Sequence, residues 1–394
     1  MTKLGALKVA IVHYWFVGYS GGERVVESLA EIFPEADLFC LIADPATMTS
    51  TLRKHRITTS FLQKIPGSRR WYRHLLPLHP LALEQLDLSE YDLILSSESG
   101  PAKGVLSPTR SCHVCYCHSP MRYLWDFYPR YRTDRGFLSR NIFTITAHYL
   151  RMWDLASAHH VDEFVANSHN VASRIQKHYR REATVIYPPV DVSTGYIAER
   201  PQDYYLVVSR LIDYKRIDLA IEACNRLRRP LRIVGDGEQY KKLRRMAGSQ
   251  IQFLGRLDDS GVRENYAHCR ALLFPGEEDF GIVPVEAQSF GRPVIAFNRG
   301  GALETVRGVS STEAADVDMA TGVFFGEQHP DSLVQGIKVF ESLESRFSPS
   351  LIRDSVERFN PARFKSEMLE LISFAMDRHQ GSVSRQRKLD EVFS

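Results

Sequence analysis

Apolar residues in this chain come in short runs, each followed by a polar or glycine-bearing loop and then by a stretch with helical spacing. Lys8-Val-Ala-Ile-Val12 predicts a first strand, followed by a loop from His13 to Gly22 and an amphipathic helix from Glu23 to Ile32. Further runs at Leu93–Leu95, His113–Cys117, Glu163–Ala166 and Thr184–Tyr187 alternate with helical stretches such as Asn141–Ala158 and Val171–Tyr179. Such alternation predicts a parallel sheet covered by helices. The rhythm breaks at Tyr187-Pro-Pro-Val-Asp191 and the polar stretch to Gln202, then resumes with Tyr204–Val208, Leu231–Val234, Ile251–Leu254, Ala271–Phe274, Val294–Phe297 and Gly322–Phe325. The chain is therefore α/β, with a first domain over 1–192 and a second over 203–360. Residues 361–394 should hold a helix, Pro361–Met376, and a basic, polar tail, Gln380–Lys388, that frays.

Bulk properties narrow this picture. At 394 residues the chain is too long for one ordinary domain. With 44% hydrophobic and 25% charged residues it is a folded chain and not a mostly disordered one, and a net charge of +3 argues against general nucleic-acid binding. The six cysteines, Cys40, Cys112, Cys115, Cys117, Cys224 and Cys269, are irregularly spaced, and no secretory leader precedes the first strand. A reduced, cytoplasmic protein is expected. No apolar run reaches the roughly 18 residues that a membrane span needs.

The candidate chemistry concentrates in Pro275-Gly-Glu-Glu-Asp-Phe-Gly-Ile-Val-Pro-Val-Glu286, where seven residues separate Glu278 from Glu286. Ala271–Phe274 reads as a buried parallel strand, Pro284 suits the first turn of a helix, and Gly291 closes that helix. The two acids thus sit at a strand-to-helix corner, at the carboxyl end of a strand, where open parallel sheets bind ligands. The amides of Phe280, Gly281 and Ile282 would meet an anion at the helix N-terminus while the carboxylates grip hydroxyls on either side. Phosphate between two polyols describes a sugar nucleotide.

Together with Phe280-Gly281 and the following Glu286-Ala-Gln-Ser-Phe-Gly-Arg-Pro-Val-Ile295, this pattern resembles the E-x7-E signature of the retaining glycosyltransferases of family 4. The resemblance implies the GT-B fold, two Rossmann-like parallel-sheet domains facing across a cleft, with the first domain on the acceptor side, the second binding the donor, and a C-terminal helix crossing back to the first domain. It assigns Arg210 and Lys215, just after the strand that opens the second domain, to the donor diphosphate, where fixed positive charge stabilises the departing nucleoside diphosphate. It sets Gly235 and Asp236, and Arg256 and Leu257, around the nucleoside, and Glu286 on the ribose hydroxyls with Glu278 beside the transferred sugar. The loop carrying Gly21 and Gly22 would contact donor phosphate or acceptor, and His118 would lie close to the reacting sugar. Each has a plainer reading: Arg210 and Lys215 as a solvated helix start, Gly235 and Asp236 as a turn, Glu286 as a partner of its own helix dipole, and His118 as a capped loop histidine.

No metal is expected. Cys112, Cys115 and Cys117 lie near His113 and His118, but strand alternation would point Cys115 and Cys117 to one face and Tyr116 to the other, and no second Cys/His cluster completes a tetrahedral site. No Asp-x-Asp motif stands in the right context, so Arg and Lys would do the work of a divalent cation. The stretch Arg69-Arg-Trp-Tyr-Arg73 mixes cations with aromatic residues; Arg69, Arg70, Trp71 and Arg73 would form either a surface helix or a peripheral contact with anionic lipid. The resemblance is to bacterial O-antigen and exopolysaccharide mannosyltransferases, through Gly21–Glu27, Cys117–Asp126 and Tyr187–Asp191. It implies transfer of a hexose, first mannose from GDP-mannose, to a glycan or polyprenyl-linked acceptor. A sugar-nucleotide epimerase and a non-catalytic sugar-nucleotide sensor are the alternatives.

Overall fold

The apolar runs resolve into two parallel sheets in the computed structural model, which describes residues 7–133, 136–314 and 316–393, leaving aside the side chains of 137, 138 and 382–393. The chain divides into two compact units, one running to Pro189 and taken up again from Ala362, the other Val190–Pro361. In the first unit β1 (Val9–Phe16), β2 (Asp37–Ala43), β3 (Ile57–Thr59), β4 (Leu93–Glu98), β5 (Cys112–Cys117), β6 (Glu163–Ala166) and β7 (Thr184–Val185) form a seven-stranded sheet in the order β3-β2-β1-β4-β5-β6-β7. In the second, β8 (Tyr205–Val208), β9 (Leu231–Val234), β10 (Ile251–Gly255), β11 (Ala271–Phe274), β12 (Val294–Phe297), β13 (Gly308–Val309) and β14 (Gly322–Phe325) run β10-β9-β8-β11-β12-β14-β13. The strand pairings in both sheets are parallel.

Alternation along the strands builds a core on each face of each sheet. In the first unit Ile11, Leu38, Leu95 and Val114 point to one side, and Ala10, Val12, Phe39 and Ile94 to the other. The helix Pro361–Phe393 covers the first of these faces with Phe364, Met368, Ile372 and Met376 at four-residue spacing, Phe364 meeting Tyr116 edge-on at 5.6 Å between centroids. The helix therefore continues past Met376, where fraying was expected from Gln380.

Three strands of the first sheet differ from the periodicity reading. β1 runs four residues beyond Val12, because His13 sits inside the sheet between β2 and β4, paired in register with Cys40 and Ser97. Polar His13 ends the apolar run without ending the strand. β2, Asp37–Ala43, is a run buried on both sides that follows closely after a helix, and β3 is three residues long, so neither carries a period of its own. In both sheets the strand order reverses next to the first strand, between β1 and β4 and between β8 and β11. Open α/β sheets bind ligands at the carboxyl ends of strands at these reversal points.

Candidate functional site

Two loops meet at the reversal point of the second unit, one after β8 and one after β11. The first carries Arg210, whose side chain is exposed, and a single helical turn, Asp213–Lys215. The second carries Gly276 to Gly281. Lys215 Nζ pairs with Glu278 Oε1, and both side chains are partly buried. The loops fit closely: a Cβ at Gly276 would stand 3.1 Å from the Lys215 backbone.

The helix Ile282–Ser289 begins at Gly281, whose backbone is left-handed (φ +93°) and which carries no side-chain cap. The helix end thus presents amides that have no partner within the helix. Gly281 is glycine because an L side chain rarely adopts this φ. The next loop is packed against the same corner: Gly301 N donates to the Glu278 carbonyl at 2.8 Å, and a Cβ at Gly301 would lie 2.3 Å from Phe280. Phe280 is buried edge-on against Phe359, with 5.4 Å between centroids. Farther along the helix, Glu286 Oε2 accepts from Tyr266 Oη at 3.0 Å.

Gly235 and Asp236 follow β9 and hold the neighbouring loop. A Cβ at Gly235 would stand 1.9 Å from the Ser209 carbonyl oxygen. Leu211 N donates to Asp236 O at 2.9 Å, and the Asp236 carboxylate accepts from Gly237 N at 2.7 Å. Arg256 is exposed after β10, Leu257 is partly buried, and Asp258 caps the helix Asp259–His268 by accepting from Gly261 N at 2.8 Å. The structure thus brings Arg210, Lys215, Glu278, Phe280, Gly281, Ile282, Gly235 and Asp236 to the carboxyl ends of β8, β9 and β11.

In the first unit Gly21 and Gly22 begin the helix Gly21–Ile32, and Ser20 caps it. The Ser20 amide and hydroxyl donate to Glu23 Oε2 at 3.0 and 2.6 Å. The other oxygen of Glu23 lies 3.7 Å from His13 Nε2, and His13 Nδ1 is 3.2 Å from the Ser97 carbonyl. Burial pushes the Glu23 carboxyl up, but the attraction of nearby His13 and the hydrogen bonds from Ser20 outweigh it and hold the group down at about 2. His118 Nε2 bonds Ser97 Oγ at 2.9 Å, and burial, with His13 nearby, pushes its imidazole down to about 3. His118 is therefore neutral near pH 7. A Cβ at Gly22 would meet Tyr14 Oη at 3.0 Å and His118 Nε2 at 3.8 Å, so glycine leaves space beside this pair.

Behind His118 lies a buried charge cluster. His118 N donates to the Glu98 carbonyl at 2.6 Å. The Glu98 carboxylate accepts from Lys103 N at 3.0 Å and pairs with Lys103 Nζ at 3.1 Å. Lys103 Nζ also pairs with Asp154, which accepts from Trp125 Nε1 at 2.7 Å and Tyr179 Oη at 3.0 Å. Glu98, Lys103 and Asp154 are fully buried, and burial raises the Glu98 pKa above the usual carboxylate range despite Lys103. His13, Ser97, Glu98 and Lys103 escaped the sequence reading. Their signal was polar residues inside or just after buried strands, where parallel sheets are otherwise apolar.

The remaining predicted residues lie elsewhere. Cys115 and Cys117 pack in an apolar cluster with Phe164, and burial pushes both thiols up. Cys112 lies on the opposite face, where its sulfur, Asp162 and His379 have ligand atoms within 4.8 Å of one another. Arg69 pairs with Asp44 at 3.4 Å, and Arg70, Trp71 and Arg73 are exposed.

Residues 19–194 match the family described as Glycosyltransferase Family 4, and residues 197–352 match the one described as Glycosyl transferases group 1. An uncharacterized glycosyltransferase of Methanocaldococcus jannaschii is 27% identical over 181 residues, covering 45% of this chain and 48% of that protein. The chain thus spans about half the length of that relative. The human alpha-1,3/1,6-mannosyltransferase is 23% identical over 338 residues, covering 74% of this chain and 76% of its own. The O-antigen chain mannosyltransferase C of Escherichia coli is 32% identical over 105 residues, 25% of this chain and 28% of that one. Among solved structures, Anabaena HepE in complex with UDP superposes with a TM-score of 0.66 at 17% identity, covering 93% of this chain and 100% of that one. These neighbours have the GT-B fold, and so does this chain.

Proposed function

We propose, from the premise that this chain belongs to glycosyltransferase family 4, that it transfers a hexose from a nucleoside diphosphate sugar to a glycan or polyprenyl-linked acceptor with retention of configuration. The observation that carries this reading is the pairing of Lys215 with Glu278 across the reversal point of the second sheet, beside exposed Arg210 and the uncapped helix at Gly281. Phosphate oxygens suit the cations and the helix end; sugar hydroxyls suit the carboxylates. In the reaction the bond from the anomeric carbon to the phosphate oxygen breaks, and the acceptor hydroxyl bonds to that carbon on the same face. Its proton passes to the departing phosphate, whose charge Arg210 and Lys215 stabilise without a divalent metal. We assign Glu286 to the ribose, and His118 with Gly21 and Gly22 to the acceptor side.

GDP-mannose is the donor we favour. The mannosyltransferase relatives support it, and UDP-sugars are the competing class. A thermal-shift screen of GDP-mannose against UDP-sugars tests the choice, since a donor at 100 times its dissociation constant adds about 2.7 kcal/mol of stability. Incubation with the preferred donor alone then separates the alternatives. An epimerase converts it, a transferase at most hydrolyses it slowly, and a sensor returns it unchanged. Transfer that disappears with chelator and returns with manganese would overturn the metal-free reading.

A further inference from the structure

The helix Phe137–Ser157 in the first unit is apolar on two opposite faces. One face is used: Ala147 and Leu150 are buried with Met121 and Leu124, and Phe143 and Trp153 pack against them. On the other face Ile142, Ile145, Tyr149 and Met152 are 59%, 72%, 46% and 55% exposed. At about 100° per residue these four fall within one arc of roughly 80°, on the side of the helix away from Ala147 and Leu150. A helix that is apolar all round belongs in an interior. Here, among the described residues, half of that apolar surface faces outward.

Charge indicates which partner suits it. The one acid of the helix, Asp154, is buried against Lys103, Trp125 and Tyr179, and its other ionisable side chains are Arg140, His148 and Arg151. The neighbouring elements continue the same character. Leu76 packs against the Ala147 and Leu150 cluster, and Trp153 Nε1 donates to Glu84 at 2.7 Å. That brings in the segment Ser68–Glu84, which exposes Trp71, Leu78 and Leu81 together with Arg70 and Arg73. Arg151 donates to the Leu124 carbonyl at 3.0 Å, so the exposed cations here are Arg70 and Arg73 of the packed segment. An anionic bilayer surface receives the apolar side chains and the cations together.

We propose that Ile142, Ile145, Tyr149 and Met152 form an interfacial surface that rests on anionic lipid. The sequence had pointed only to Arg69–Arg73. The structure adds the longer apolar stripe and makes insertion, with charge attraction as an aid, the main source of binding. Docking is measured without donor or acceptor, so it stands or falls separately from the transfer reaction.

The test is sedimentation of the full chain with vesicles of phosphatidylglycerol and phosphatidylcholine, compared with phosphatidylcholine alone, at low and high salt. The parent should pellet with the anionic vesicles, and Ile145→Gln/Met152→Gln should weaken this at least about tenfold. Arg70→Gln/Arg73→Gln should weaken it less and flatten the salt dependence. Both exposed pairs should leave the melting temperature and nucleotide binding at parental values. The proposal is overturned if the parent stays in the supernatant or the apolar double variant pellets as the parent does. It is equally overturned if the parent is a dimer that Ile145→Gln/Met152→Gln dissociates, since the stripe is then a self-association surface.

Discussion

The two units repeat one topology and handle charge in opposite ways. In the second, the polar groups at the reversal point sit on loops: Arg210 is exposed, and Lys215 and Glu278 are paired but reachable. In the first, His13, Glu23, Ser97, Glu98, Lys103 and Asp154 are buried within and beneath the sheet, and His118 is fixed against them. Fixed cations that meet a phosphate must be accessible, and a buried lysine already surrounded by carboxylates cannot bind one. The first unit instead holds a neutral imidazole and a glycine-lined space in a rigid polar frame, which suits orientation of a hydroxyl better than neutralisation of an anion. Similar sheets thus hold their polar groups in two ways, buried among the strands in one unit and reachable on loops in the other.

Acid should break this contrast first, in the first unit alone. Burial holds His79 and His113 down to about 4 and His118 to about 3. Their folded-state values lie below the unfolded value near 6.5, so the stability associated with them is present above that pH and is lost as pH falls. Glu98 works the other way: its folded value is raised, so it takes up a proton that the unfolded chain releases and offsets one of the three. About two net protons at about 1.36 kcal/mol per pH unit give a loss of about 4 to 5 kcal/mol between pH 6.5 and 4.5. Trp15, Trp71, Trp125 and Trp153 all belong to the first unit, so tryptophan fluorescence in a denaturant series reads that unit specifically. A midpoint unchanged over this range would show that the histidines are not held neutral.

The next test is to remove one cation from each unit. Lys103→Met strands Glu98 and Asp154 in the interior and should cost about 3 to 5 kcal/mol, with the tryptophan signal melting early. Lys215→Met removes a partly exposed pair and should cost about 1 kcal/mol or less. Equal losses would mean that burial is not what separates the two clusters.

Activity should show the reverse ranking. Arg210→Ala and Lys215→Ala should each lower turnover about 10²–10³-fold while donor affinity changes less, because the charge on the departing phosphate develops in the transition state. Near-parental turnover in both variants would remove these cations from the chemistry.

What the sequence made legible follows the same division. The second-unit residues were readable because they stand in loops between strong strand signals, with Gly276, Gly281 and Gly291 marking the turns. β11, β12 and β14 appear where the apolar runs predict them. The first-unit frame was harder to read. His13 and Lys103 take their meaning from partners distant in sequence, Ser97 and Asp154, and a polar residue amid apolar ones looks like the end of a strand until the sheet is assembled. The outward stripe of Phe137–Ser157 was hidden for a related reason: helical spacing shows that a helix has an apolar face, but not which of two apolar faces the fold will use.

The smallest expected effect divides the two glutamates of the second unit. Glu286 accepts from Tyr266 in the second turn of its helix, whereas Glu278 is held by Lys215 on the loop before that helix. If Glu286 receives the ribose hydroxyls, Glu286→Gln keeps an oxygen for Tyr266 but loses charge and an acceptor, and binding of free nucleoside diphosphate should weaken about tenfold, the scale of one charge-assisted hydrogen bond. Glu278→Gln should leave that binding nearly intact, since the free nucleotide has no sugar for Glu278 to hold, and should lower transfer instead. Titration calorimetry with the nucleoside diphosphate, set beside the transfer rate of each variant, measures both. The opposite pattern would exchange the two roles and move the ribose to the loop, next to Lys215.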